Sequence, residues 1–430
     1  MYVMKNFDSF ISWAKRRGFV FESQEMYSGL SGVWDFGYYG TLFKKNIKDF
    51  WWKKFVESRS DVVAVESSIL TKEAVFKASG HLESFTDPMV ECRKCQARFR
   101  ADEDKFKGKC VNCGSDKLSE PKKFNLMFQT QLGEFLRPET AQGMFVNFKS
   151  ILETTRKKIP FGIAQIGKSF RNELVSSGNF LFRLREFEIA EIEYFVHPEE
   201  DDYYFNQWQK DWENFLINIG LDEKNLKKFS HPKKDLAHYS KKTVDWQYKF
   251  PFGWRELSGL ANRTDFDLKN HSQKSGKDLT IFDEKNNKKY FPYVIEPTIG
   301  IERLFFALLW EAFEISDGQN RLNRGEIILK INPKLSPIKV AIFPLVNKEG
   351  MDKTAQQIFE DLKEKISCEY DDKGSIGRRY RRQDEIGTLF CVTIDGETKK
   401  NKSVTIRHRD TGRQKRIKIK DLYNYLETNI

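Results

Sequence analysis

The chain has 430 residues, 39% of them hydrophobic and 14% aromatic, enough apolar material for two or three domains with real cores. Lysine and arginine outnumber the acids 73 to 62, a net charge of +11 with a pI near 9.1, which suits a polyanionic partner as readily as a lysine-rich soluble surface. No stretch approaches the ~20 apolar residues of a membrane helix, and Met1 to Gly18 lacks the basic-then-apolar order of a secretory signal. The expectation is a cytoplasmic protein with no membrane partner.

In chain order, residues 7–17 predict an amphipathic helix with Phe7, Phe10, Ile11 and Ala14 on one stripe, and 42–56 a second, rich in Trp and Lys. Residues 88–120 change composition: paired cysteines, many charges and few large aliphatics mark a small inserted module. Residues 161–173 and 182–196 predict two strands joined through Ser176, Ser177 and Gly178, an antiparallel hairpin with a flexible tip. A helix over 202–220 follows, carrying Phe205, Trp208, Trp212, Phe215 and Ile219. Residues 290–301 predict a strand that runs into a strongly apolar helix over 302–314. The two prolines of 332–337 punctuate the chain. Beyond them, strands over 338–344 and 390–394 and a helix over 352–366 predict a compact α/β domain.

Cys92-x-x-Cys95 and Cys110-x-x-Cys113 are separated by fourteen residues. Each CxxC turn sets two thiolates on one side of a metal, and two turns complete a tetrahedron, so the spacing predicts structural zinc with no open position for catalysis. A redox pair or a decayed knuckle is the plainer alternative.

Alternation along 182–196 places Arg183, Arg185, Phe187, Ile189, Glu191 and Glu193 on one face, and Phe182, Leu184, Glu186, Glu188 and Ala190 on the other. Arg171 and Glu173 share a face of the preceding strand. Arginines, a ring and carboxylates together suit a charged, planar ligand such as a nucleotide; a surface strand laced with ion pairs is the bland alternative.

The order of these residues is specific. Phe170-Arg171-Asn172-Glu173, a short loop, and Phe182-Arg183-Leu184-Arg185-Glu186-Phe187-Glu188 resemble motif 2 of class II aminoacyl-tRNA synthetases. Pro297-Thr298-Ile299-Gly300-Ile301-Glu302-Arg303, followed by an apolar helix, resembles motif 3. Arg137-Pro138-Glu139-Thr140-Ala141-Gln142-Gly143 is similar to the amino-acid-binding stretch of the glycyl, threonyl and prolyl branch. Gly29-Leu30-Ser31-Gly32-Val33-Trp34-Asp35 and the run Phe187 to Phe195 resemble the glycyl enzymes most closely. The match runs from Arg16-Arg17-Gly18-Phe19 to Arg407-His408-Arg409-Asp410.

The resemblance implies an α+β fold: a class II antiparallel-sheet catalytic domain over 1–333, with residues 88–120 as a zinc ribbon, and an α/β anticodon-binding domain over 334–430. It implies attachment of glycine to tRNA(Gly) by way of a glycyl-adenylate, with ATP and Mg2+ as well as Zn2+. It assigns Arg171 to the α-phosphate, Glu173 to the adenine amino group, Arg183 to ATP, Phe187 to stacking on adenine, and Arg303 to the opposite ring face or the γ-phosphate. Asn172, Phe182, Leu184, Arg185, Glu186, Leu257, Gly300, Ile301 and Glu302 join that nucleotide set. Glu256 would approach the ATP-bound magnesium, and Arg263 the nucleotide or the glycine carboxylate. Arg100, Glu139, Glu188, Ile189, Ala190, Glu191, Glu296, Pro297, Thr298 and Ile299 would form the glycine pocket. Glu139, Glu191 and Glu296 would receive the ammonium, and the Thr298 methyl would narrow a pocket that selects glycine by size.

Two departures stand out. The motif 1 proline that shapes the dimer interface is replaced by Tyr38, which bears on the expected homodimer, and the segment between Cys113 and Glu139 is short. In the second domain Arg378, Arg379, Tyr380, Arg381 and Arg382 run consecutively, and residues 399–420 hold ten Lys/Arg against one acid, Asp410. These offer phosphate contacts and base stacking, with Asp384 and Glu385 as readers of base edges. Three rivals remain: a threonyl or prolyl enzyme, a non-catalytic paralogue that would have lost its arginines, and a zinc-ribbon RNA-binding protein, which leaves both ATP motifs unexplained.

Overall fold

The computed structural model describes residues 5–102, 108–175, 180–315 and 326–430; the proposed hairpin tip at Ser176, Ser177 and Gly178 lies outside these. Helix α1 (Phe7–Arg16) starts where Asn6 Oδ1 accepts the Ser9 N–H, with Asp8 in its first turn and Lys15 and Arg16 in its last, all favourable to the helix dipole. It buries Phe10, Trp13 and Ala14. Helix α2 (Tyr38–Trp52), which begins four residues earlier than its periodicity predicts, crosses close to the preceding chain at Gly40. A Cβ there would stand 1.8 Å from the Phe19 carbonyl oxygen, so only glycine permits the crossing.

The first large sheet has seven strands: β1 (Val62–Ala64), β2 (Phe161–Phe170), β3 (Glu186–Val196), β4 (Leu226–Ser230), β5 (Lys242–Phe250), β6 (Gly253–Thr264) and β7 (Tyr293–Gly300). Their order is β4-β5-β6-β7-β3-β2-β1, antiparallel except where β1 joins β2. The even-numbered side chains of β3 (Ala190, Ile192, Tyr194) pack into an aromatic core with α2, helix α3 (Asp201–Ile219) and helix α5 (Ile301–Ala312), which follows helix α4 (Phe266–Ser275) in the chain. Within that core Phe55 meets Trp208, Trp212 and Phe215, and Trp212 meets Phe215, in tilted and edge-on contacts at centroid distances of 5.0–5.8 Å. The odd-numbered side chains of β3 face the other way. Both strands of the expected hairpin are shorter than alternation predicts. Phe180 and Phe182 form a 3-10 turn, with Phe180 packed against Phe10 and Phe306, and this draws the chain out of the ladder before Glu186.

A turn at Pro333–Leu335 leads to the second sheet: β8 (Val340–Pro344), β9 (Cys368–Tyr370), β10 (Phe390–Ile394), β11 (Ser403–His408) and β12 (Gln414–Lys418), in the order β9-β8-β10-β11-β12. Helices α6 (Met351–Lys363) and α8 (Leu422–Asn429) cover one face. Helix α7 (Ile376–Ile386) covers the other, where Tyr380 meets Phe343 at 5.6 Å. The two parts are joined by Tyr39 donating to Glu369 at 2.7 Å, by an Arg17–Glu385 pair, and by Arg409 donating to the carbonyl of Ile331 at 3.0 Å. Among the described residues no helix is long and apolar enough to cross a membrane.

Candidate active site

An open pocket of about 890 Å³ lies on the odd-numbered face of β3, walled by β6, β7 and the segment leading into β3. Its floor follows from strand register. Glu191, Thr298, Gly259 and Asp245 are neighbours across β3, β7, β6 and β5, and therefore share one face. A Cβ on Gly259 would reach within 3.4 Å of Asp245 Oδ1 and 3.6 Å of Thr298 Cγ2, so the bare glycine keeps this floor open.

Carboxylates crowd the lower pocket. Glu191 Oε1 accepts from Thr298 Oγ1 at 3.1 Å, and its Oε2 accepts the Thr140 N–H at 2.8 Å. Glu139 accepts from Gln142 at 3.1 Å and lies 3.4 Å from His81 Nε2. Glu296 accepts from Arg263 Nη1 at 2.8 Å. Burial pushes the Glu296 carboxyl up to about 8, with Arg263 pulling it down and Glu191, Glu139 and Asp267 pushing it up. Burial and the Glu139 charge also raise Glu191. Burial works against ionised Glu139, but His81, Arg263 and Gln142 together hold its carboxyl well below the usual range. The floor is thus a cluster of three acids, whose natural complement is positive charge.

The upper pocket carries that complement in arginines and rings. Arg171 donates Nε to the Pro138 carbonyl at 3.0 Å, with its guanidinium between the rings of Phe85 (5.3 Å) and Phe187 (5.2 Å). Arg303 lies 4.6 Å over Phe182 and 3.3 Å from Glu256, and Arg183 pairs with Glu173 at 3.1 Å. Glu302 reaches in from the start of α5, anchored by Lys44. Leu184, Leu257, Ile189, Ile299 and Gly300 complete the wall.

Several expected residues fall elsewhere. Arg263 does not line the pocket: it is 1% exposed, fully engaged by Asp267 (2.8 and 3.1 Å) and Glu296, and stacked 4.0 Å over Tyr239. It acts from beneath, as the counter-charge to Glu296. Glu188 and Ala190 are even-numbered and point to the helix side, where Glu188 pairs with Lys44 (2.7 Å) and Lys48 (3.0 Å). Glu186 pairs with Lys168 at 2.6 Å, Pro297 is on the face opposite Thr298, and Ile301 is fully buried in the aromatic core. Asn172 and Arg185 serve the backbone, through Asn172 N to Leu126 O and Arg185 Nε to Glu173 O. Arg100 pairs with Asp87 (2.7 Å) and Asp102 outside the pocket, and Asp87 in turn lies 4.0 Å from Arg183. Phe187 has one face already occupied by Arg171, and Arg303 covers Phe182 instead. Leu181, Tyr239 and Ser258 line the pocket unforeseen; Tyr239 follows an irregular loop where no periodicity marks a site.

The four cysteines of the inserted module bring their sulfurs within 4.8 Å of one another, with Cys92–Cys113 at 3.7 Å and Cys95–Cys110 at 3.6 Å. A tetrahedron of ~2.3 Å zinc–sulfur bonds requires sulfur separations of about 3.8 Å, so the donor set fits the metal. Cys95→Ser is expected to lower zinc from one per chain toward none by elemental analysis.

On α7, Arg378 and Arg381 are exposed and Arg382 pairs with Asp371. Tyr380 is tied down, its hydroxyl 2.6 Å from Thr393 Oγ1. Asp384 and Glu385 are not open to bases: Asp384 is buried in a two-bond pair with Arg407 (2.7 and 2.9 Å), and Glu385 is held by Arg17 and by Arg381 at 3.2 Å. A helix face turned to the sheet is closed to a ligand.

A seven-stranded antiparallel core with arginines at both ends of an acid-floored pocket matches the class. Residues 129–312 match the family described as tRNA synthetase class II core domain (G, H, P, S and T), and residues 339–429 match the anticodon binding domain family. The glycine--tRNA ligases of Caldanaerobacter subterraneus subsp. tengcongensis and Alkaliphilus oremlandii are 46% and 44% identical to this chain over the whole of both proteins. That of Borrelia hermsii is 46% identical over 99% of this chain and 98% of its own. The chain belongs to the glycine--tRNA ligase family.

Proposed function

We infer that the protein activates glycine with ATP and transfers it to the 3′ end of tRNA(Gly). The observation that carries this reading is the acid-floored pocket beneath Arg171. Three carboxylates, Glu139, Glu191 and Glu296, match the three N–H bonds of a glycine ammonium, and Thr298 and Tyr239 leave little room for a side chain. The glycine carboxylate then points up toward Arg171. One of its oxygens attacks the α-phosphorus of ATP as pyrophosphate leaves, and Arg171 stabilises the charge developing on the α-phosphate. Arg303 and Glu256 stand at the far end, with Arg303 for the polyphosphate. The Glu256 carboxylate is a hard oxygen donor suited to Mg2+, which when bound would neutralise phosphate charge. In the second step the terminal ribose hydroxyl attacks the glycyl carbonyl, and AMP departs. Pyrophosphate exchange measured with each of the common amino acids tests the assignment. Exchange with glycine alone is expected, and exchange with another amino acid in its place overturns it.

The structural zinc fits the four cysteines, and the basic, outward face of α7 suits an anticodon loop. Replacing Arg378 and Arg381 together by alanine should weaken tRNA binding about tenfold and flatten its salt dependence, while pyrophosphate exchange, which needs no tRNA, is unchanged. Phe21, Met26, Tyr27, Leu30 and Tyr38 form an exposed apolar surface around the start of α2; Met26 is 93% and Tyr27 83% exposed. A second copy of the chain covers that surface, with Tyr38 supplying a ring in place of the proline. Light scattering on the purified protein should give twice the chain mass.

A further inference from the structure

Glu193 lies two residues beyond Glu191 on the pocket face of β3. It is completely buried, and neither carboxyl oxygen has a hydrogen-bond partner among the described residues. A buried acid without a donor is costly as an anion and tolerable as a neutral group. Neither of the residues directly opposite it in the described sheet is a donor. On the β2 side the register sets Ile163 opposite it. On the β7 side the pairs Glu191↔Thr298 and Tyr194↔Ile295 set Glu296 directly opposite. Side chains so placed have Cβ atoms about 4.5–5.5 Å apart, and two like charges there repel. The nearest cation, Arg263 on β6, spends its nitrogens on Asp267 of α4 and on one oxygen of Glu296. Glu191 on the same strand adds a further negative charge. Burial first, then Glu296, with Arg263 opposing, pushes the Glu193 carboxyl well above the usual range.

We propose that Glu193 is a positioning residue of the glycine site: a permanently neutral acid whose O–H is donated across the strand pair to the second oxygen of Glu296, keeping Glu296 a carboxylate for the glycine ammonium. Arg263 holds one oxygen of Glu296 from below and the Glu193 hydroxyl steadies the other. A hydrogen bond to the charged form lowers a carboxyl pKa. The donor therefore offsets the burial that otherwise leaves Glu296 near 8. Glycine recognition then depends on a proton that never enters the reaction.

The proposal rests on Glu296 facing the ammonium, and the two ideas are separable. Glu296→Gln tests the pocket: an unchanged KM for glycine in that variant overturns the pocket, whatever Glu193 does. Glu193→Gln keeps a neutral donor of the same shape; its KM for glycine in pyrophosphate exchange should stay within about threefold of the parent. Glu193→Met keeps the volume and loses the donor. Its KM for glycine should rise about tenfold with kcat little changed, and the acid limb of kcat/KM for glycine should move up by about one pH unit. The sign follows because loss of a donor raises the pKa of Glu296, so a higher pH is needed to ionise it. A buried acid that merely fills space predicts that Met leaves both KM and the limb in place, and that result overturns the proposal. If the Met variant does not fold, the Gln variant still decides: a rise of tenfold or more in its KM for glycine means an anion is required, which refutes a neutral Glu193.

Discussion

Arg171→Ala is expected to reduce glycine-dependent pyrophosphate exchange by about 10³-fold or more. A single preorganised donor aimed at a developing oxyanion is worth roughly 10²–10³ in rate, and a guanidinium supplies more than one contact to a phosphate. Arg171 is preorganised in the required sense. Its Nε is held by the Pro138 carbonyl, and two rings, Phe85 and Phe187, fix the plane of the head group. No reorganisation is left to pay for when charge builds on the phosphate. The side chain belongs to none of the hydrophobic cores, so circular dichroism and the melting temperature should stay close to those of the parent. Near-normal exchange in this variant would remove the nucleotide assignment of the whole segment.

The second large effect concerns Arg263, and it is one of stability. Arg263→Leu strands Asp267 and Glu296, both at most 5% exposed, without their shared cation. Breaking a buried pair in this way costs about 3–5 kcal/mol, a fall in melting temperature of roughly 5 °C for a domain of more than 300 residues. The loss should depend on pH with a definite sign. Removing the cation raises the Glu296 carboxyl further above its value near 8, so the deficit grows as the pH rises through 8, where that acid must ionise, and shrinks as the solution is acidified below it. Differential scanning calorimetry at pH 6.5 and pH 9.5 measures both numbers. An equal deficit at the two pH values would mean that the pair is held by packing and that the charges are incidental.

These two arginines also mark how far the sequence can be read. Arg171 sits in an unbroken motif and could be assigned from order alone. The motif predicts Arg263 beside the substrate; the structure buries it beneath the pocket on Asp267 and Glu296, next to a β-bulge between Asn262 and Thr264 that shifts the register. Alternation along 186–196 correctly sorted Phe187, Ile189, Glu191 and Glu193 from Glu186, Glu188 and Ala190. Its extension back along 182–185 failed, since the strand begins only at Glu186, after the aromatic turn at Phe180–Phe182: Phe182 and Leu184, assigned to the other face, line the pocket together with Arg183, and Arg185 does not. The strand at residues 390–394 matched to the residue, because a short apolar run in a parallel setting is unambiguous. Strands β5 and β6 escaped notice, although Lys242–Phe250 alternates plainly; their charged residues concealed a buried face. Asp384 and Glu385 show the same limit on a helix, where sequence gives the residue types but not which carboxylates the protein spends on its own arginines.

The two-sided arrangement of β3 has a consequence for how this chain tolerates change in length. Its odd residues carry the acids and its even residues feed the aromatic core, with a period of two. A single inserted or deleted residue between Phe187 and Tyr194 would exchange the two sets at a stroke. Ala190 and Ile192 would turn toward the amino acid while Glu191 and Glu193 turned toward Trp208 and Trp212. Substitutions in this strand can be graded, but indels cannot: its residue count is as much a determinant of selectivity as any side chain it bears.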